Sequence, residues 1–105
     1  MPKFALIYRN AKPMSSPEEG QQHMIAWRAW STGLGEALIE PGMPFSQAVT
    51  VTSEGITRVG DEAALNGISI VEAATCEEAG EMAQSCPHVL RGGDIVVAEG
   101  MDMEM

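Results

Sequence analysis

The chain opens with a segment that is apolar at successive positions. Between Lys3 and Arg9, Phe4, Leu6 and Tyr8 point to one side, and the residues between them are apolar as well. A strand that is apolar on both faces is typical of the centre of a sheet. The pattern therefore predicts a first, central strand here.

The next segment changes to a helical period. Ser16 and Glu19 form a capping box around Pro17, so a helix is predicted from Pro17 to about Glu36. Its inward stripe is predicted to contain five residues at helical spacing: His23, Met24, Trp27, Trp30 and Leu34. Its water-facing side is predicted to contain Gln21, Arg28 and Thr32.

The rest of the chain predicts further strands and a second helix. A second capping box, Thr75 and Glu78, opens that helix, and Pro87 is predicted to end it. Strand-like segments are predicted at 48–53, 56–59, 68–73 and 94–99, the first two joined as a hairpin.

This order of elements predicts an α+β fold, a ferredoxin-like βαββαβ sandwich with an extra hairpin and both helices on one face of the sheet. A length of 105 residues suits a single domain over 1–105. Residues 100–105 offer little to bury and are predicted to form a frayed tail.

Composition narrows the possible partners. Six basic and 15 acidic residues give a net charge of −9, which disfavours nucleic acid and anionic membrane surfaces. The sequence has no apolar run of about 18 residues and no basic leader, so a cytoplasmic protein is predicted. With 45% apolar residues the chain can supply both a core and an interface, and a homodimer is expected.

The sequence predicts neither a metal site nor a cofactor. Cys76 and Cys86 lie too far apart on the predicted helix to bridge, and neither has a metal-site spacing, so both are expected to be free thiols. The segment GLGEAL mimics part of a dinucleotide fingerprint, but it ends a helix instead of following a strand.

The predicted first helix carries the candidate chemistry. His23, Trp27 and Trp30 share one face, and an imidazole with a pKa near 6.5 can exchange protons at neutral pH beside an indole that stacks on a flat molecule. Alternatively, His23 hydrogen-bonds Glu19 or a backbone carbonyl while the indoles fill the core or a dimer interface.

Other candidates are weaker. An acid–base histidine needs an orienting acceptor, and Glu19, Asp61 and Asp94 are the candidates. Tyr8 and Arg9, at the end of the first strand, are predicted to lie at the mouth of a cleft beside the first helix. Arg9 would bind an anionic group there or instead form a surface salt bridge. His88, directly after Pro87, is predicted to be a surface turn residue.

Several segments together resemble one known family. FALIYR, SPEE with HMIAWRAW, GISIVEA, TCEEAGEMAQSCP and GGDIVV occur in the order and spacing of the YCII-related domain family, specifically its DGPF-type branch. The resemblance spans nearly the whole chain. It implies a ferredoxin-like fold that dimerises by joining sheets into an α/β barrel, with a cleft beside the first helix.

The resemblance also implies a role for one residue. A few relatives act on small ring compounds, among them a dehydrochlorinase of chlorinated hydroxyquinols, and a first-helix histidine is their proposed acid or base; His23 matches it. The chain departs from the family in two places. The Asp-Gly-Pro-Phe segment is shortened to VGDEAALNG, which keeps only Asp61, and Cys86 stands where another branch has an aspartate.

Together these observations predict a small cyclic ligand bound beside the first helix, with His23 as acid or base, Trp27 as stacking wall, Tyr8 and Arg9 at the mouth and Asp61 as a weaker catalytic candidate. The alternative is a non-catalytic ligand-binding or protein-interaction module.

Overall fold

The centre of the molecule is an antiparallel sheet of four strands. The structure, a computed structural model, describes residues 1–60 and 64–102. Strand β1 (Lys3–Arg9) pairs on one side with β5 (Leu65–Glu72) and on the other with β6 (Asp94–Glu99). Strand β2 (Leu38–Pro44) pairs with β5, which gives the order β2-β5-β1-β6. The prediction of a central first strand is confirmed.

Alternation along β1 explains where the core lies. Phe4, Leu6 and Tyr8 are buried, whereas Ala5 and Ile7 between them are half-buried on the opposite face of the sheet. The buried face carries the core, which consists of Phe4, Leu6, Tyr8, Val71, Ala73, Ala79, Ala83 and Cys86. Both long helices contribute to this cluster or pack on it, so both lie on one face, as predicted.

Helix α1 covers Pro17–Leu34 and continues into a 3-10 turn at Gly35–Ala37. The Ser16 hydroxyl accepts from the Glu19 N–H, as the capping box predicts. No residue of α1 is fully buried. Of the predicted inward stripe, His23, Trp27, Trp30 and Leu34 are half-buried. Met24 is 52% exposed, because it lies at the edge of the stripe.

Helix α2 covers Cys76–Gln84, with Thr75 as its N-cap. The helix ends before Pro87, which was predicted to close it, but the sequence analysis missed that Pro87 begins a further short helix, α3 (Pro87–Leu90). A proline suits a first helical position, where its missing N–H would have no partner. Both cysteines are free, as predicted, with Cys76 exposed and Cys86 buried.

A separate hairpin stands between β2 and β5. Strands β3 (Val49–Thr52) and β4 (Gly55–Arg58) pair with each other and form a two-stranded sheet of their own, in which every residue is exposed. Strand β5 begins at Leu65, three residues before its predicted start. The strand order and directions are those of a ferredoxin-like fold with a hairpin inserted, as predicted.

The last residues are described only in part. The Gly100 N–H donates to the Lys3 carbonyl oxygen at 2.8 Å, whereas Met101 is 80% exposed. Residues 103–105 of the predicted tail lie outside the described residues.

Candidate functional site

A cavity of about 320 Å³ lies between the first half of α1, the end of β1 and the strand pair β2–β5. This volume is at the lower end of the range for small-molecule pockets. Its lining is predominantly apolar with a few polar groups, and consists of Tyr8, His23, Met24, Trp27, Pro41, Gly42, Met43, Pro44, Asn66, Gly67, Ile68, Ser69 and His88. Within 1–60 and 64–102, no Asp, Glu, Lys or Arg lines it.

His23 and Trp27 come from successive turns of α1 and form one wall. Their ring centroids are 5.7 Å apart, and the Trp27 indole lies edge-on to the Tyr8 ring at 5.2 Å. The i, i+4 spacing is what brings the imidazole and the indole to one side of the helix. The structure thus brings His23, Trp27 and Tyr8, three of the predicted site residues, to one cavity.

His23 has one nitrogen that lacks a partner. Its Nδ1 is buried and makes no hydrogen bond within the described part of the chain. Burial lowers the pKa of His23, and the nearby positive charge of Arg91 lowers it further. The imidazole is therefore neutral at pH 7, in the form that accepts a proton.

The Trp30 indole has a different role. Its Nε1–H donates to the Met82 carbonyl oxygen of α2 at 3.0 Å, and Trp30 packs against the core. Trp30 therefore links α1 to α2. It does not line the cavity, although its ring centroid is only 5.6 Å from that of Trp27.

Tyr8 forms the floor of the cavity as a neutral phenol. Its hydroxyl donates to Ser69 Oγ at 2.8 Å, and the Ser69 hydroxyl donates to the Pro41 carbonyl oxygen at 2.7 Å. Burial raises the pKa of Tyr8 to about 12. This chain of hydrogen bonds ties β1, β5 and β2 together beneath the cavity.

The candidate acceptors for His23 are engaged elsewhere. Glu19 accepts from Ser15 and from Arg91, and these Ser15 hydrogen bonds are the main reason that its pKa is lowered. The Asp94 carboxylate accepts from Asn10 at 2.7 Å and from Arg9 Nε at 2.9 Å. Asp61 lies outside the described residues.

Arg9 is not part of the cavity wall. Its guanidinium pairs with Asp94 at the end of the sheet, which is the salt-bridge alternative that the sequence left open. The Asn10 and Arg9 hydrogen bonds also lower the pKa of Asp94.

His88 is a lining residue that the sequence analysis placed elsewhere. It was predicted to lie on a surface turn, but it is only 7% exposed and lines the cavity from α3, which contacts α1. Its Nε2 is 2.8 Å from the Arg9 carbonyl oxygen and 3.0 Å from that of Asp94. The one sequence signal was the glycine pair after it, because a Cβ on Gly93 would lie 2.5 Å from Nε2.

Across the described ranges, no three His, Cys, Asp or Glu side chains gather in a way that could hold a metal ion. No helix in the described part of the chain is both long and apolar enough to cross a membrane.

The fold is similar to that of a solved enzyme. This is 5-chloro-2-hydroxyhydroquinone dehydrochlorinase from Burkholderia phenoliruptrix AC1100, in complex with 2,5-dihydroxybenzoquinone, with a TM-score of 0.58, 24% identity and 93% of each chain covered. At this identity the similarity supports the fold. Comparison with protein-family models and with curated proteins gives no match.

Proposed function

We propose that the protein binds a small, flat, oxygenated cyclic molecule in the cavity beside α1, and that His23 acts on it as acid or base. The observation that carries this proposal is a neutral imidazole with an unpartnered buried nitrogen on the wall of an open, mainly apolar cavity. Buried polar groups are normally paired, so a ligand hydroxyl is a fitting partner.

The shape of the lining favours a single ring. Trp27 and Tyr8 present aromatic surface, and a cavity of about 320 Å³ accommodates one substituted six-membered ring. The dihydroxybenzoquinone complex of the similarly folded dehydrochlorinase supports the same class of ligand. The predicted membership of the YCII-related family is part of this proposal.

The two tryptophans provide a matched test of the binding site. Hydroquinone, kept reduced, is titrated into wild-type protein, Trp27→Leu and Trp30→Leu, and binding is measured by calorimetry. We expect roughly 3- to 10-fold weaker binding for Trp27→Leu, because a stacking surface is lost. Trp30→Leu should lower stability but leave the affinity unchanged. Equal effects of both changes on affinity would contradict the proposal.

A non-catalytic ligand-binding module is the second candidate. The observation that favours it is that Glu19 and Asp94 are both engaged elsewhere, which leaves His23 without an orienting carboxylate among the described residues. Chloride release from 5-chloro-2-hydroxyhydroquinone distinguishes a catalyst from a binding module, because loss of HCl requires a base that takes up the proton. Release that disappears in His23→Gln supports catalysis, whereas binding without release supports the second candidate.

We further propose that the protein is a homodimer joined through its sheets as an α/β barrel. The face of the sheet away from the helices is apolar and uncovered in the single chain. It carries Ala5, Ile7, Ile68, Ile70, Val96 and Ala98, which lie side by side in the strand register. An apolar sheet face of this kind is typical of an interaction surface.

A further inference from the structure

His88 is fixed on the cavity wall by the backbone on both sides of it. It follows Pro87 at the start of α3, and its Nε2 lies within hydrogen-bond distance of the carbonyl oxygens of Arg9 and Asp94. These two carbonyls belong to residues that lie opposite each other in the register of the neighbouring strands β1 and β6. The ring therefore bridges the ends of β1 and β6.

This geometry fixes which nitrogen carries the proton. Carbonyl oxygens only accept hydrogen bonds, so Nε2 must be the protonated nitrogen. In the neutral imidazole the other nitrogen, Nδ1, is then a hydrogen-bond acceptor. Nδ1 makes no hydrogen bond to the described residues, although the ring is nearly buried.

Two neighbours hold the ring in this orientation. The Tyr8 ring lies edge-on to it, with centroids 5.5 Å apart. On the Nε2 side the fit is so close that residue 93 must be glycine, since a Cβ there would lie 2.5 Å from Nε2. The ring cannot turn to offer Nε2 to the cavity without losing both carbonyl contacts.

We propose that His88 is a ligand-binding residue that determines specificity: its Nδ1 accepts a hydrogen bond from a neutral hydroxyl group on the ligand ring. Rings that carry a hydroxyl are preferred to those that carry an ether oxygen, because an ether has no proton to donate. The role rests on the proposed function, since it requires a ligand in the same cavity, and it assigns His23 and His88 to different groups of that ligand.

The tautomer of His88 is tested without any variant. In ¹⁵N NMR spectra of the wild-type protein at pH 8, His88 is expected to show a protonated Nε2 and an unprotonated Nδ1. Hydroquinone, kept reduced, should move the Nδ1 resonance toward the protonated position. A protonated Nδ1 in the free protein, or an Nδ1 resonance that does not move at saturating hydroquinone, would overturn the inference.

Selectivity is tested with a pair of ligands. His88→Gln keeps an N–H that can reach the two carbonyls but removes the acceptor at Nδ1. We expect hydroquinone to bind about tenfold more weakly to this variant, whereas the affinity for 1,4-dimethoxybenzene stays unchanged. Ser85→Ala, a change on the exposed end of α2, serves as the control.

The outcomes separate the two proposals. If hydroquinone binds the wild-type protein and His88→Gln equally, the role of His88 is wrong and the proposed function survives. If hydroquinone does not bind the wild-type protein at all, the proposed function fails and the role of His88 fails with it. If His88→Gln does not fold, the Nδ1 resonance of the wild-type protein decides.

Discussion

At the scale of single residues, the cavity combines two imidazoles in different situations. His23 has a buried Nδ1 with no partner among the described residues, whereas His88 has its Nε2 shared by two carbonyls. The Trp27 and Tyr8 rings lie between the two imidazoles. The Tyr8 ring is edge-on to Trp27 and to His88. A ring that enters this space meets aromatic surface and two imidazoles, one from α1 and one from α3.

The lowered pKa of His23 makes stability depend on pH. An unfolded histidine titrates near pH 6.5, and burial keeps the folded one neutral to lower pH. Below about pH 6.5 the unfolded chain therefore binds more protons at this site than the folded chain, so the free energy of unfolding falls as the pH falls toward 5. Urea unfolding at pH 7.5, 6 and 5 measures this dependence. In His23→Gln the free energy of unfolding should depend less on pH. An unchanged pH dependence would contradict the burial of His23.

Sequence reasoning found one histidine and missed the other for a physical reason. The spacing of His23 and Trp27 on a helix is a local property, so their shared face could be predicted. The burial of His88 depends on the carbonyls of Arg9 and Asp94, and Arg9 lies 79 residues away along the chain. No pattern in the sequence around His88 indicates its contact with the Arg9 carbonyl.

At the scale of elements, strand β2 closes the cavity against β5. Gly42 has φ +78°, and a Cβ there would lie 1.7 Å from the Ile68 carbonyl oxygen. Only glycine allows the two strands to approach so closely with this backbone conformation. The irregular register of β2 against β5 occurs in the same region.

Two glycine substitutions should have opposite effects on stability. Gly42→Ala is expected to lower the free energy of unfolding by at least about 1–3 kcal/mol, because of its positive φ and the clash with Ile68. Gly80→Ala in α2, where a Cβ would meet nothing within 4 Å, should raise it by about 0.5–1 kcal/mol. Denaturant unfolding measures both. If the Gly42→Ala protein is as stable as Gly80→Ala, the close approach of β2 to β5 is contradicted.

The elements that sequence reasoning predicted are those with strong local signals. Strands β1 and β6 follow from short runs of apolar residues, and the two capped helices follow from their capping residues. Helix α3 is a single turn, held by the Cys86 carbonyl accepting from Val89 and Leu90. The early start of β5 comes from pairing of Leu65 with Arg9 beyond a register shift at which Asn66 of β5 is skipped. Neither feature has a periodic pattern long enough to predict it.

At the scale of the whole molecule, two apolar surfaces are left uncovered by the described residues of the single chain. One is the helix-free face of the sheet. The other is the hairpin, where Val49, Val51 and Ile56 are 56%, 67% and 71% exposed. An isolated two-stranded hairpin is only marginally stable in water, so both surfaces are consistent with the proposed homodimer.

The dimer can be tested by one charged substitution. Ile7→Glu places a carboxylate at the centre of the helix-free face, between Ile68 and Val96 in the register. We expect the wild-type protein to sediment as a dimer at micromolar concentration and Ile7→Glu as a monomer, because a buried unpaired charge is costly. Gln21→Glu adds the same charge on the exposed side of α1 and should leave the dimer intact. A monomeric wild-type protein would eliminate the barrel.

The most direct test of the binding site uses the two indole N–H signals in one NMR spectrum. The Trp30 indole N–H donates a hydrogen bond to the Met82 carbonyl oxygen, whereas Trp27 lines the cavity. On titration with reduced hydroquinone, we expect the Trp27 indole and His23 ring resonances to shift together and saturate while the Trp30 signal stays in place. Shifts confined to residues outside the cavity, or no shift of Trp27 at saturating hydroquinone, would contradict the proposed binding site.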